Sequence, residues 1–201
     1  MILLIQYMLV FTSVLMLVAL GGCFSEHSGV INIGLEGIMV FGALGGALMM
    51  KYLPDGTAGW LMIVICVLAA MLMGVLYSLL LAVAAIDFRA DQTLVGTAMN
   101  LLGTAAAPVL VKALNTAADP NNPSATIAYD RSPFQIIPNM EFSWLAVIAI
   151  VMLILSYILL YKTKFGLRLM ACGEHPQAAA SEGINVFRMR YAGVMISGLL
   201  G

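Results

Sequence analysis

A chain of 201 residues in which 62% are hydrophobic and only 9% carry charge, with a mean hydropathy of +1.02, is too apolar for a soluble globule. A formal net charge of -1 and the lack of a basic stripe interleaved with aromatics leave no basis for nucleic-acid binding. The composition is that of an integral membrane protein in contact with lipid.

Met1 to Gly22 is apolar but has no Lys or Arg, so it lacks the charged start of a secretory signal. Leu20-Gly21-Gly22-Cys23 has the look of a lipoprotein cleavage box, yet more membrane sequence follows, and a first transmembrane helix is the better reading. Ile33 to Met50 just reaches the roughly 17 to 25 residues that a span requires. Trp60 to Ile86 is long enough to predict tilting or a kink near Gly74. Thr93 to Leu114 is a weaker span, interrupted by Gly96, Asn100, Gly103 and Pro108. Trp144 to Tyr161 has aromatic residues at both ends, as interfacial anchoring predicts. A last apolar run from Tyr191 stops at Gly201 after 11 residues and reads as a sixth helix cut mid-span, which implies a truncated chain. The expected fold is an all-α, polytopic membrane protein forming one domain over residues 1–201. Cys23, Cys66 and Cys172 stand singly and are expected to be small buried apolar residues, with neither a disulfide framework nor a metal site.

The polar interval Lys162 to Arg190 carries Lys162, Lys164, Arg168, Arg188 and Arg190, five of the nine basic residues, and is expected on the cytoplasmic side. Alternation then places residues 115–143 outside, with Asp119, Asp130 and Glu141 against Arg131 and with Pro120, Pro123, Pro133 and Pro138. Lys51 to Gly59 also falls outside, and Asp87 to Asp91 inside. Within the basic interval Gly166 and Gly173 are expected to break the chain. Pro176 suits a helix start, Gln177 to Glu182 form about two turns, and Gly183 ends them. Glu174 would lie beside that helix start, where the macrodipole favours it. Ala178, Ala179 and Ala180 would let another protein surface approach closely; an ordinary connector is the plainer alternative.

The interval Cys23 to Gly34 allows two structures: a short cytoplasmic turn, or a break in helix within the membrane whose backbone groups line a polar cavity. Ser25, Glu26, His27, Ser28, Asn32 and Glu36 fit either. Glu36 marks a pathway or partner if it lies at membrane depth, where a carboxylate costs several kcal/mol, or a favourable first-turn charge if it lies near the interface. Asn32 is placed to cap that helix or bond to Glu36. Asn100, Thr97 and Thr104 would give the fourth span a polar face, for a translocation path or for bonding to a neighbouring helix. Gly21, Gly22, Gly42, Gly45 and Gly46 point to close helix contact first and a pore wall second. No catalytic set converges: Ser25-Glu26-His27 is contiguous, and neither a His-Glu-x-x-His zinc helix nor a phosphate-binding loop is present. ATP hydrolysis, if it drives this protein, belongs to another subunit.

Three segments carry a resemblance: Ser28-Gly-Val-Ile-Asn-Ile-Gly-Leu-Glu-Gly37, Asp91-Gln-Thr-Leu-Val-Gly96, and Gly166-Leu-Arg-Leu-Met-Ala-Cys-Gly-Glu-His-Pro-Gln-Ala-Ala180 with Gly183-Ile-Asn185. They resemble the permease subunits of bacterial ABC importers of the simple-sugar and nucleoside branch, related to the ribose permeases and most like the smaller permease of nucleoside importers. The resemblance implies a helical permease of the cytoplasmic membrane with interrupted helices. It also implies a coupling loop at Gly173, Glu174, Pro176, Ala178, Ala179 and Gly183 that docks on a cytoplasmic ATPase, a second permease subunit and an extracytoplasmic binding lipoprotein. Asn32, Glu36 and Asn100 are the expected polar groups of the substrate path for a nucleoside or sugar, and no cofactor is expected. A proton-coupled secondary transporter with Glu36 as the titrating carboxylate is the rival reading, and a non-transporting truncated subunit a further one.

Overall fold

The computed structural model describes residues 2–54, 57–127 and 144–201, and these form helices and their connections. In chain order they are α1 (Ile2–His27), α2 (Leu35–Tyr52), α3 (Gly59–Ala82), α4 (Gln92–Ala118), α5 (Trp144–Tyr161), α6 (Lys164–Glu174), α7 (Pro176–Ser181) and α8 (Val186–Leu200). Among the described residues, five stretches are long and apolar enough to cross a membrane: Leu4–His27, Leu35–Tyr52, Gly59–Asp87, Gln92–Ala118 and Trp144–Tyr161. Asp130, Arg131, Pro133, Pro138 and Glu141 of the expected external loop lie outside the described residues.

The starts and stops follow from local chemistry. Asp91 caps α4 by accepting from the Thr93 and Leu94 amides at 2.8 and 3.2 Å, Thr163 caps α6, and Asn185 caps α8 through the Arg188 amide at 3.0 Å. α3 runs as continuous α-helix through Gly74. The departure comes later, in a wider π turn over Val83–Asp87, followed by Arg89 in the left-handed region at φ 52°. Gly74 has a different use: a Cβ there would strike the backbone of Gly198 on α8.

Small residues set how closely the helices approach. A Cβ on Gly103 of α4 would lie 2.7 Å from the Gly37 Cα of α2, and one on Gly21 of α1 would lie 2.8 Å from the Ser197 carbonyl of α8. Between helices in lipid, such contact supplies the packing that a hydrophobic effect cannot. Around it sits a buried cluster of Val30, Ile38, Tyr77, Leu81, Ala82, Ile86, Met99 and Val194. Tyr77 stacks on Phe41 with ring centroids 4.2 Å apart, and its hydroxyl donates to the Met99 carbonyl at 2.6 Å. The end of α1, the turn between α3 and α4, and α6 to α8 gather at one end of the bundle, here the basic end. The Lys51–Asn115 hydrogen bond of 2.8 Å marks the opposite end.

The basic interval folds differently from its sequence reading. Gly166 and Gly173 lie inside α6 and do not break it. Each is glycine because of a neighbour: a Cβ on Gly166 would meet the carbonyls of Leu159 and Leu160, and one on Gly173 would lie 2.5 Å from the His27 carbonyl. Glu174 is the last residue of α6, a position that helix's macrodipole does not favour for a carboxylate, and it also directly precedes His175, the N-cap of α7, so it lies beside that helix start as expected.

Candidate functional site

Between α1 and α2 the chain leaves helix at Ser28 and re-enters at Leu35. The turn is closed locally, with the Ser25 hydroxyl donating to the Val30 carbonyl and the Ser28 hydroxyl to the Ser25 carbonyl, both at 2.6 Å. Both serines are fully buried and therefore line no solvent-filled cavity. Beyond the turn, three consecutive residues are fastened to two different helices. The Ile31 amide donates to Gln92 Oε1 of α4 at 2.7 Å. Asn32 Nδ2 donates to Ser197 Oγ of α8 at 2.9 Å. The Ile33 carbonyl accepts from Asn100 Nδ2 of α4, also at 2.9 Å. The same Asn100 accepts the Gly37 amide through Oδ1 at 2.9 Å, while Gly34, the N-cap position of α2, offers no side-chain cap. Asn100 lies eight residues into α4, about 12 Å from its start at 1.5 Å per residue. α2 therefore begins recessed by about that depth along α4. The interval is both the connection at the basic end and a helix break bonded to α4 and α8, with Asn32 buried and Ile31 and Ile33 exposed.

Of the three residues expected to line a substrate path, Asn100 bonds to backbone of the break and Asn32 to a side chain of α8. Asn100 clamps the break and caps α2 from a neighbouring helix. Asn32 bonds to α8, neither capping α2 nor meeting Glu36, and its Oδ1 is buried without a partner. Thr97 and Thr104 turn their hydroxyls onto carbonyls of their own helix one turn back. Glu36 alone is exposed, in the first turn of α2.

Toward the opposite end, α1, α2, α3 and α4, with Ala125, Ile127 and Leu145, border an open-sided cavity of about 980 Å³. Its wall includes Val10 and Val14 of α1, Val40, Ala43 and Ala47 of α2, Ala70 of α3, and Thr104, Ala107 and Pro108 of α4. Glu36, Ala43, Ala47 and Met50 fall on one face of α2 at spacings of seven, eleven and fourteen residues, so the carboxylate continues the wall toward the basic end. Among the described residues, no aromatic and no charged side chain lines the cavity itself. The glycines divide between the two expected uses. Gly21 and Gly45 are tight helix contacts, whereas Gly42 and Gly46 line the cavity.

At the basic end α7 is a single short helix with Pro176 in its first turn. It closes through hydrogen bonds from the Gly183 amide to the Ala180 carbonyl (3.0 Å) and from the Ile184 amide to the Ala179 carbonyl (3.1 Å), with Gly183 at φ 78°. That is a Schellman stop, and the left-handed conformation accounts for the glycine. Ala178 and Ala180 are exposed, but Ala179 is buried at 5% exposure and does not belong to the outer surface. Cys172, just before, is fully buried, and burial pushes its thiol up from the ordinary range although Arg190 acts in the opposite direction. Cys66 is buried as expected, while Cys23 is exposed.

Ser197 and Gln92 were not singled out by sequence. The signal for Ser197 was the four-residue spacing of Gly193, Ser197 and Gly201, a small-xxx-small pattern that marks a close helix face.

Residues 4–201 match the model of the family described as the branched-chain amino acid transport system / permease component. The chain belongs to that family. It is 43% identical over 203 residues to the guanosine ABC transporter permease protein NupQ of Bacillus subtilis, covering 96% of this chain and 62% of the relative. It is 37% identical over 201 residues to the nucleoside ABC transporter permease protein NupC of Lactococcus lactis, covering 96% and 63%. A putative glucose ABC transporter permease protein of Haloferax volcanii, TsgC13, is 27% identical over 194 residues, covering 92% and 56%. The chain thus spans a little over three fifths of the length of its nearer relatives here. No solved structure matches it. Family and spans together make it a multi-pass protein of the bacterial plasma membrane.

Proposed function

We propose that the chain is a permease subunit of an ATP-driven importer that carries nucleosides or simple sugars across the cytoplasmic membrane by alternating access. The family match over residues 4–201 carries this reading, and the nucleoside names of the two nearer relatives favour nucleosides over sugars. The sequence contains no phosphate-binding loop, so ATP hydrolysis falls to a separate cytoplasmic ATPase. A second permease subunit and an extracytoplasmic substrate-binding lipoprotein complete the assembly.

In this proposal the basic end faces the cytoplasm, residues 162–190 form the coupling loop, and residues 115–143 belong to the external side. The exposed face of α7, with Glu174, Ala178 and Ala180 around it and Gly173, Pro176 and Gly183 shaping it, docks on the ATPase. Closure of the ATPase around ATP moves α7, and the spans rock to change which side the cavity faces. The cavity is the part of the path this chain contributes. Glu36 stands at its inner edge, where a carboxylate can accept hydrogen bonds from sugar hydroxyls. The apolar wall holds substrate weakly, which suits a conduit fed by a separate binding protein.

The test is uptake of a radiolabelled nucleoside by cells carrying the complete transporter, with and without its ATPase, for wild type and for Ala47→Phe, which fills the cavity. Uptake that depends on the ATPase and falls strongly in the variant is the expected result. Uptake that survives loss of the ATPase but collapses with the proton gradient would establish the secondary transporter instead.

A further inference from the structure

The short non-helical run between α1 and α2 is stitched alternately to two helices. Extended backbone sends successive residues to opposite sides, and here Ile31 and Ile33 bond to α4 through Gln92 and Asn100 while Asn32, between them, bonds to α8 through Ser197. Just upstream, a Cβ on Gly173 of α6 would strike the His27 carbonyl, and one on Gly193 of α8 would strike Ser28. The run therefore touches α6 and α8, the helices on either side of α7. Just downstream it becomes α2, whose face is the largest single contribution to the cavity wall and whose first turn is capped only by Asn100 of α4. Two further details fit a joint that changes register. The Asn32 Oδ1 is buried and unpartnered, so this arrangement leaves an acceptor that another could satisfy. Tyr191 of α8 also donates to Asp87 Oδ2 at 2.6 Å, which ties α8 to the π turn that ends α3 ahead of α4.

We propose that the run from Ile31 to Ile33 is the transmission joint of the permease, with Gln92 and Ser197 as positioning residues: displacement of α8 relative to α4 pulls Asn32 against its neighbours and so turns the start of α2 and the cavity wall. The inference rests on the permease reading above. It assigns energetic coupling to a contiguous, physically connected element and not to distance alone.

The experiment measures nucleoside transported per ATP hydrolysed by the complete, purified transporter in proteoliposomes. Gln92→Ala removes the acceptor for the Ile31 amide at a half-buried position on the first turn of α4, and Gln92→Glu keeps an acceptor there. The expected result is a fall in the ratio of roughly three- to tenfold in Gln92→Ala, the size of effect that changes within a coupling network produce, with recovery in Gln92→Glu. Ser197→Ala, which removes the partner of Asn32 from the other side, is expected to lower the ratio in the same way. An unchanged ratio in Gln92→Ala, or a proportional loss of hydrolysis and transport that leaves the ratio intact, would overturn the joint. A wild-type assembly that shows no ATP-driven uptake would overturn the permease reading itself, so the two failures are distinguishable.

Discussion

At the basic end of the bundle, polar side chains on three helices are spent on backbone: Asn100 holds Ile33 and Gly37, Gln92 holds Ile31, Ser25 holds Val30, and Asn185 caps α8. At the opposite end, the described residues that bound the cavity are Val, Ala, Gly, Leu, Met, Ile, Cys and Pro with Thr104, whose hydroxyl is turned back onto its own helix. The contrast separates two tasks. A region that must transmit motion needs directional bonds that fix who moves with whom, and a region that must let a polar solute pass does better without strong holds on it. Polarity within the membrane therefore marks the mechanism here more than the substrate.

Substitutions at the two ends can break or sharpen that contrast. The largest loss is expected from Gly103→Val, which pushes side-chain atoms into the Gly37 backbone, where even a Cβ would lie 2.7 Å from Cα. Overpacking of this kind costs about 1 to 3 kcal/mol or more, and thermal unfolding in detergent should show a clear drop in midpoint. Next comes Asn100→Ala, which leaves the Gly37 amide and Ile33 carbonyl without their partner. The Gly37 amide is part-buried and the Ile33 carbonyl lies at an exposed position, so the loss is about 1 to 3 kcal/mol in all, read by the same assay, and Asn100→Asp should recover part of it by keeping the acceptor for Gly37. Gly183→Ala forces a side chain into the left-handed stop of α7 at a cost of about 1 to 2 kcal/mol. Because Gly183 has nothing within 4 Å of its would-be Cβ, the loss should appear in proteolytic sensitivity of the α7 loop and leave the rest of the fold intact. Thr104→Val in the cavity should change stability by less than about 0.5 kcal/mol and leave uptake near the wild-type rate. A large uptake defect there would mean that the hydroxyl serves substrate, and the contrast would fail.

Much of the architecture was legible in advance. Five spans follow from apolar length, and their boundaries fell within a few residues of Leu4–His27, Leu35–Tyr52, Gly59–Asp87, Gln92–Ala118 and Trp144–Tyr161. Pro176 and Gly183 correctly bracketed α7, because an N-terminal proline and a C-terminal left-handed glycine act through local backbone geometry. What could not be read was anything decided by a neighbouring helix. Gly166 and Gly173 read as breakers from local propensity but are helical because α6 must pass close to α5 and to the end of α1. Asn32 and Asn100 read as path residues because a polar group in an apolar span usually has a purpose, and the sequence did not show that Asn100 meets a backbone carbonyl 67 positions away or that Asn32 meets the Ser197 hydroxyl 165 positions away. Ala179 differs from Ala178 and Ala180 only in the direction it faces, which no composition reveals.

The most direct test of the account is a photo-crosslinking amino acid placed at Ala178, exposed on α7, and, as a control, at Thr116, exposed near the far end of α4, in the complete transporter. The account predicts a crosslink from position 178 to the ATPase subunit and none from position 116. Equal capture from both positions, or none from 178 in a transporter that still drives uptake, would contradict a permease worked through α7.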